Sequence, residues 1–174
     1  MSHQNNQIKI NKRLAVTSGL KLFPTSEDQK TTDDYYTPPE FFEQLDMRFD
    51  LDVAAPVGGC HWIPANSHYD QLSDGLTSDW FGTVFMNPPF SHTSIWANKF
   101  VAHGNGVAIV PVTRAHWFNA IWQNPEVKFA IPFQDKTLFK FVKDGKRVGV
   151  FMPVIVLAMG GDAVAAISRI GFAR

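Results

Sequence analysis

Hydrophobic residues in this chain fall into short runs separated by polar turns. Runs of strand length occupy residues 49–55, 83–86, 106–112, 127–133 and 154–159. The run at 106–112 is apolar throughout, which is typical of a strand covered on both faces. Segments suited to helices alternate with these runs, from residue 37 onward and at 94–103, 117–122 and 163–170. The alternation predicts an α/β fold on a mostly parallel sheet.

A hairpin signal lies between residues 138 and 151. Two apolar segments, 138–142 and 147–151, flank an Asp144-Gly145 pair, which is a favoured two-residue hairpin turn. We expect this hairpin to form an antiparallel edge of the sheet. Residues 60–82 show no convincing period, so the pattern predicts no helix or strand there.

The first 33 residues are polar and lack periodicity. We expect a flexible polar arm over 1–33 and a single domain over 34–174. No apolar run approaches the roughly 20 residues of a membrane span, and the polar N-terminus lacks the apolar region of a signal peptide. We therefore expect a cytoplasmic protein without membrane association. The sequence does not determine the oligomeric state, although a monomer is compatible with it.

Cysteine chemistry contributes little to the picture. A single cysteine, Cys60, excludes a disulfide within the chain. His61 and His68 are close by in sequence, but a zinc site needs more ligands at familiar spacing. We expect no metal and interpret Cys60 as a small packing residue.

The net charge is zero, yet the basic residues are clustered. Residues 136–147 carry five basic side chains against Asp144 alone. A neutral protein can still bind a polyanion when one face is basic. The candidates for phosphate contact are Arg114, Lys136, Lys140, Lys143, Lys146 and Arg147. The alternatives are a solvated hairpin surface and, for Arg114, a structural role.

Residues 87–90 read Asn-Pro-Pro-Phe and directly follow the apolar run 83–86. The Asn87 side-chain carbonyl and the Pro88 backbone carbonyl can accept the two hydrogens of an aromatic amine, which favours the pyramidal form that attacks a methyl donor. The Pro88-Pro89 pair makes the turn rigid. Phe90 can stack on a base, a contact worth about 1–3 kcal/mol. These residue types predict a methylation site for a planar, amine-bearing group. A plain Pro-Pro turn is the alternative.

Further segments occur in a recognisable order around this turn. They are Thr37-Pro38-Pro39, the Asp52-to-Gly58 segment, Asp74-Gly-Leu, Asp79-Trp80, Val110-Pro111, Trp117-Phe118 and the strand at 153–156. With Asn87–Phe90, they resemble the phage Dam-type DNA N6-adenine methyltransferases, which use S-adenosylmethionine. The likeness covers roughly residues 35–159. It departs from the usual first loop, because Gly58 and Gly59 are adjacent and no helix is evident after them.

The resemblance implies a Rossmann-like methyltransferase sheet whose donor and target base meet at the carboxyl ends of the strands. It implies methyl transfer to the adenine N6 amine of DNA, with the base flipped out or single-stranded. It also implies a phage or prophage gene acting in a bacterial host, for which protection from restriction is a natural role. The donor-binding residues that it implies are Thr37, Pro38, Asp52, Ala54, Gly58, Asp79 and Trp80; the catalytic ones are Asn87, Pro88, Pro89 and Phe90.

Two other classes of function stay open on the sequence. A methyltransferase with a related turn can act on another planar amine, namely cytosine N4, RNA adenine or a protein glutamine. A degenerate, non-catalytic nucleic-acid-binding protein on the same fold is motivated by the irregular first loop. Thr37 as a helix cap, Asp52 as a strand-end acid and Asp79 as a turn residue are the structural alternatives to donor binding.

Overall fold

The computed structural model describes residues 35–132, 140–149 and 152–174. The predicted arm over 1–33 and the predicted phosphate contact Lys136 lie outside these residues. The described strands are β1 Phe49–Asp52, β2 Ala65–His68, β3 Val84–Met86, β4 Gly106–Pro111, β5 Lys128–Pro132, β6 Lys140–Lys143, β7 Lys146–Gly149, β8 Val154–Met159 and β9 Gly171–Ala173. The helices are α1 Pro39–Leu45, α2 Thr93–His103, α3 His116–Gln123 and α4 Gly161–Ile167, with a 3-10 turn at Phe90–His92.

The main sheet is mixed and mostly parallel, in the order β2-β1-β3-β4-β8-β5-β9. The first four strands in this order pair in parallel. Strand β8 is antiparallel to both of its neighbours, β4 and β5, and β9 is antiparallel to β5. The predicted α/β class with a mostly parallel sheet is therefore present.

The hairpin is not the edge of this sheet that the sequence predicts. Strands β6 and β7 form a two-stranded sheet of their own. Besides β7, strand β6 pairs with Tyr36 and not with a strand of the main sheet, since Val142 of β6 forms an antiparallel bridge with Tyr36. The turn itself agrees with the prediction. Asp144 and Gly145 have φ values of 50° and 69°, and positive φ at both positions is the signature of the type I′ turn.

Apolar side chains cover both faces of the main sheet. On one face, Trp96 and Phe100 of α2 and Phe118 of α3 pack against the strands. On the other face, Phe41 and Phe42 of α1 join Phe49 and Phe85 in an aromatic cluster, with the Phe42 and Phe85 ring centroids 4.9 Å apart. Each fully buried Phe contributes about 1.5–3 kcal/mol relative to exposure. The sheet is thus the middle layer of three.

The strand order reverses at β1. The chain runs outward from β1 to β2 and then returns to β3 on the opposite side of β1. Such a reversal opens a crevice at the carboxyl ends of the strands, which is where open α/β sheets bind ligands. Asp52 is the register partner of Phe85. Ala54 and Asn87 follow the carboxyl ends of these two neighbouring strands, where the crevice opens.

The sequence pattern did not predict two of the described strands. Strand β2 has no buried residue, and β9 has only three residues, so neither carries a pattern strong enough to detect. In the described part of the chain, no helix is both long enough and apolar enough to cross a membrane.

We predict that Gly106→Ala lowers the free energy of unfolding by about 2 kcal/mol or more. Gly106 has φ 149°, and a Cβ there would lie 2.1 Å from the Val84 carbonyl oxygen on the neighbouring strand. Urea unfolding measures the loss. The control is Gly161→Ala, where an added Cβ has no neighbour within 4 Å among the described residues. Equal stability of the two variants would contradict the prediction.

Candidate active site

Asn87 directly follows β3, and its amide is fixed by a backbone contact. Its Nδ2 donates a hydrogen bond to the Tyr35 carbonyl oxygen at 2.8 Å. A carbonyl can only accept, so the NH2 half of the amide must face Tyr35. The Oδ1 atom consequently faces away from Tyr35, and it accepts no hydrogen bond from the described residues. Asn87 therefore presents an acceptor at the carboxyl end of β3, as its predicted role requires.

The rest of the Asn-Pro-Pro-Phe turn is held by the start of α2. Pro88 is buried, and the 3-10 turn after Pro89 leads directly into that helix. The Thr93 hydroxyl donates to the Phe90 carbonyl at 3.0 Å. The half-buried Phe90 ring meets Phe141 edge-on, with centroids 6.5 Å apart. The turn is thus anchored on both sides of the aromatic residue that is predicted to stack on a base.

Asp52 is a buried acid at the carboxyl end of β1. It is 3% exposed, and its Oδ1 accepts a hydrogen bond from the Ala54 N–H at 3.2 Å. Burial raises the pKa of Asp52 to about 7, and the single hydrogen bond only partly opposes this effect. Burial also raises the pKa of the Cys60 thiol, and the charge of Asp52 adds to this shift. Cys60 therefore lies close enough to Asp52 to sense its charge.

Thr37 has a buried hydroxyl group without a hydrogen-bond partner. It is 1% exposed, and its Oγ1 finds no hydrogen-bond partner among the described residues. The helix-cap alternative is wrong, because Pro38 occupies the cap position of α1 and no side chain caps the helix. The Thr37 carbonyl accepts from Trp62 Nε1 at 2.9 Å. Buried polar atoms without partners are rare in proteins and require an explanation, such as a ligand.

Tyr69 and Asp70, which follow β2, organise the loops around these groups. The Tyr69 hydroxyl donates to the Asp79 carbonyl at 3.0 Å, and the Gly58 N–H donates to Asp70 Oδ2 at 3.2 Å. Hydrogen bonds from Gly58, and then from Ser73, lower the pKa of Asp70 to about 2. Gly58 itself is exposed and has φ 82°. Sequence reasoning missed Tyr69 and Asp70 because their segment has no period; the Asp70-x-x-Ser73 spacing, typical of a side chain bonding a turn, was the available signal.

Asp79 and Trp80 differ in their surroundings. Asp79 is exposed, while Trp80 is half-buried and stacks on Trp96 with ring centroids 6.3 Å apart. Trp80 Nε1 also donates to the Gly75 carbonyl at 2.7 Å. Lys99 fastens the same loop, since its Nζ donates to the carbonyls of Gly75, Leu76 and Ser78 at 3.1, 2.8 and 2.6 Å. Trp80 is therefore packed against the protein on at least one face.

The predicted phosphate contacts fall into two groups. Lys140, Lys146 and, after β4, Arg114 are exposed. Lys143 Nζ lies 4.7 Å from the centre of the Tyr35 ring, and Arg147 forms an ion pair with Glu40 of α1. The hydrogen bond from Arg147 lowers the pKa of Glu40. Arg147 thus already has a structural partner. Lys140 and Lys146 are exposed and form no ion pair with the described residues.

The site suits a polar, cationic ligand better than a metal ion. S-adenosylmethionine carries a sulfonium and an ammonium group, and it would satisfy a buried carboxylate at Asp52 and a buried hydroxyl at Thr37. No group of three or more His, Cys, Asp or Glu within the described ranges is arranged to hold a metal. The residues present therefore fit the methyl donor that the sequence predicts.

We predict that Asp52 makes the fold less stable as pH rises. The folded state keeps the Asp52 proton up to about pH 7, whereas the unfolded chain loses it near the ordinary pKa of 3.8. The stabilising contribution of Asp52 is therefore fully present below about pH 4 and falls by a few kcal/mol towards pH 7, because one pKa unit corresponds to about 1.4 kcal/mol. Urea unfolding of Asp52→Asn across this range should lack that fall. The exposed Asp79→Asn is the control, and an unchanged slope in Asp52→Asn would contradict the prediction.

Comparison with known proteins finds a family match. Residues 25–148 match the family described as DNA N-6-adenine-methyltransferase (Dam). No curated protein matches the chain, and no solved structure matches it. The matched segment spans well over half of the 174 residues and includes α1, β1 to β6 and the Asn87–Phe90 turn. The chain belongs to the Dam family of DNA N-6-adenine-methyltransferases.

Proposed function

We propose that this protein transfers a methyl group from S-adenosylmethionine to the exocyclic N6 amine of adenine in DNA. The observation that carries the proposal is the oriented Asn87 amide, whose Oδ1 is presented at the carboxyl end of β3 by the bond from Nδ2 to the Tyr35 carbonyl. The buried Asp52 lies on the neighbouring strand at the strand-order reversal. Membership of the Dam family supports the same reaction.

Thr37, Asp52 and the loop through Gly58 would hold the donor, with Pro38, Ala54, Asp79 and Trp80 as further candidates. When bound, S-adenosylmethionine supplies an electrophilic methyl group. Asp52 is suited to a cation, because a buried carboxylate gains far more from a positive partner than an exposed one does. Gly58 lacks a Cβ, which lets its backbone approach a ligand closely. The Asp70 bond to the Gly58 N–H keeps that loop in place.

Asn87 and Pro88 would accept the amine hydrogens of the target adenine. As the amine becomes pyramidal, its lone pair leaves the ring and these hydrogen bonds strengthen, so they stabilise the transition state more than the ground state. The Phe90 ring would stack on the base and hold it near the donor. The released proton passes to solvent. No metal or nucleophilic side chain takes part in this scheme.

Adenine within a duplex cannot reach a strand-end crevice, so the base must be flipped out or already single-stranded. The exposed Arg114, Lys140 and Lys146 would contact phosphates, and phosphate contacts position DNA without reading its sequence. We therefore propose a very short recognition sequence or a relaxed one.

We predict that Asn87→Ala abolishes methyl transfer while donor binding stays within about twofold. The substitution removes the acceptor for the amine but leaves Asp52 and Thr37 intact. Labelled S-adenosylmethionine, unmethylated DNA and nucleoside analysis give the test, with donor binding measured by calorimetry. The control is Asn119→Ala, at an exposed position on α3. An active Asn87→Ala would contradict the assignment, and label in N4-methylcytosine would reassign the acceptor.

A second prediction concerns the hairpin lysines. Replacing Lys140 and Lys146 together by Ala should weaken DNA binding and make the slope of log affinity against log salt less negative by roughly 2, because each phosphate contact releases about one counterion. Fluorescence anisotropy over a salt series measures this slope. Lys128→Ala is the control. Lys128 is the first residue of β5, outside the hairpin, and its Nζ donates a hydrogen bond to the carbonyl of Pro125. An unchanged slope in the double variant would remove the hairpin from the DNA contact.

A further inference from the structure

The hairpin β6–β7 is bonded to the same short segment that orients Asn87. Tyr36 and Val142 exchange two backbone hydrogen bonds, of 2.9 Å and 2.8 Å. The preceding residue, Tyr35, offers its carbonyl to Asn87 Nδ2 at 2.8 Å. The peptide unit between Tyr35 and Tyr36 therefore connects the hairpin to the Asn87 side chain. Its carbonyl accepts from Asn87, and its N–H donates to Val142.

Side chains repeat this connection. Phe141 of β6 is fully buried, and its ring lies edge-on to Tyr35, with centroids 6.3 Å apart, and edge-on to Phe90 at 6.5 Å. Lys143 adds a cation–π contact to the Tyr35 ring at 4.7 Å. One buried ring thus contacts both the residue that orients Asn87 and the aromatic end of the catalytic turn.

We propose that Tyr35 and Phe141 are positioning residues that couple the basic hairpin to the Asn87 amide, an inference that rests on the proposed function. An asparagine amide has broad, roughly two-fold rotamer wells, so its oxygen and nitrogen can exchange places at little cost. The Tyr35 carbonyl breaks that symmetry, because only the NH2 group can face it. With the amide reversed, Asn87 would present N–H groups to the target amine and repel its hydrogens.

The coupling gives the hairpin a role beyond attraction of DNA. Lys140 belongs to β6, the strand that carries Phe141 and Val142, and Lys146 belongs to its partner strand β7. Phosphate bound to these lysines steadies the hairpin, and the hairpin steadies segment 35–36. Small misplacements of a reacting group cost large factors in rate. DNA that holds the hairpin, and through it the Asn87 Oδ1 acceptor, therefore increases kcat as well as affinity.

The first test is a comparison of kcat with KM in Tyr35→Ala. The backbone carbonyl remains in this variant, but the ring contacts that hold it are lost. We expect kcat to fall about tenfold, which corresponds to about 1.4 kcal/mol, with KM for donor and DNA within about twofold. Tyr35→Phe keeps the ring and should restore the rate. Phe141→Leu, which keeps an apolar side chain in the core, should lower kcat in the same way.

The matched control is Trp122→Ala on α3, which removes an aromatic ring outside the hairpin; the ring contacts of Trp122 are to Phe118, Phe129 and Arg174. It should leave kcat within about twofold of the unmodified protein. A normal kcat in Tyr35→Ala, or an equal loss in Tyr35→Phe or Trp122→Ala, would overturn the proposal.

A second readout does not depend on activity. The side-chain NH2 signals of Asn87, identified by their loss in Asn87→Ala, should shift in the nitrogen–proton NMR spectrum of Tyr35→Ala and stay in place in Tyr35→Phe. Unmoved signals in Tyr35→Ala would overturn the link itself. If the unmodified protein transfers no methyl group to DNA, the proposed function fails, and these NMR signals still decide whether Tyr35 holds the amide.

Discussion

The parallel pairing of β1 with β3 is the constraint on which the candidate site depends. Strand β3 has only three residues, and all three are fully buried between helices on both faces. The register that pairs Asp52 with Phe85 brings the carboxyl ends of the two strands side by side, and Asn87 directly follows the end of β3. Because strand side chains alternate with a period of two, a slip of one residue would exchange Phe85 for its neighbours and turn Asn87 to the wrong face. Packing of the aromatic cluster around Phe85 therefore also sets the geometry of the site.

Two acids near this pairing show how differently the fold treats the same chemical group. Asp70 lies at the surface, where hydrogen bonds from the Gly58 and Ser73 backbones lower its pKa to about 2. Asp52 is buried with one hydrogen bond, and its pKa rises to about 7. The first acid is satisfied by its own loop and acts as a structural clamp. The second has a single hydrogen bond to set against its burial, so it retains the capacity to respond to a ligand.

The sequence predicted most of the elements that carry the site, and the reasons for its failures are physical. Strands β3, β4 and β8 were predictable because buried strands are apolar runs, and the Asn87–Phe90 turn was predictable because its chemistry requires those residue types. The polar edge strand β2 lacks any such pattern. The role of Tyr35 was beyond sequence reasoning, because it acts through a backbone carbonyl across 52 residues, and every residue type has one. The separate hairpin sheet likewise depends on the Tyr36 bridge, which is a tertiary contact.

The unsatisfied groups make sense when stability and the proposed function are considered together. A fold selected for stability alone would replace Asp52 by Asn and give Thr37 Oγ1 a partner, since each buried unpaired polar group costs about 1–3 kcal/mol. Asp52 instead has one hydrogen bond at the end of β1, and Thr37 Oγ1 has no partner among the described residues. The loops that carry Gly58 and Asp79 are fastened by Asp70 and Tyr69. Because these loops are held by the protein itself, a cationic donor would meet a carboxylate that needs no rearrangement. The buried polar groups lower the stability of the free protein, and the same groups raise its affinity for the donor. A site built in this way is preorganised.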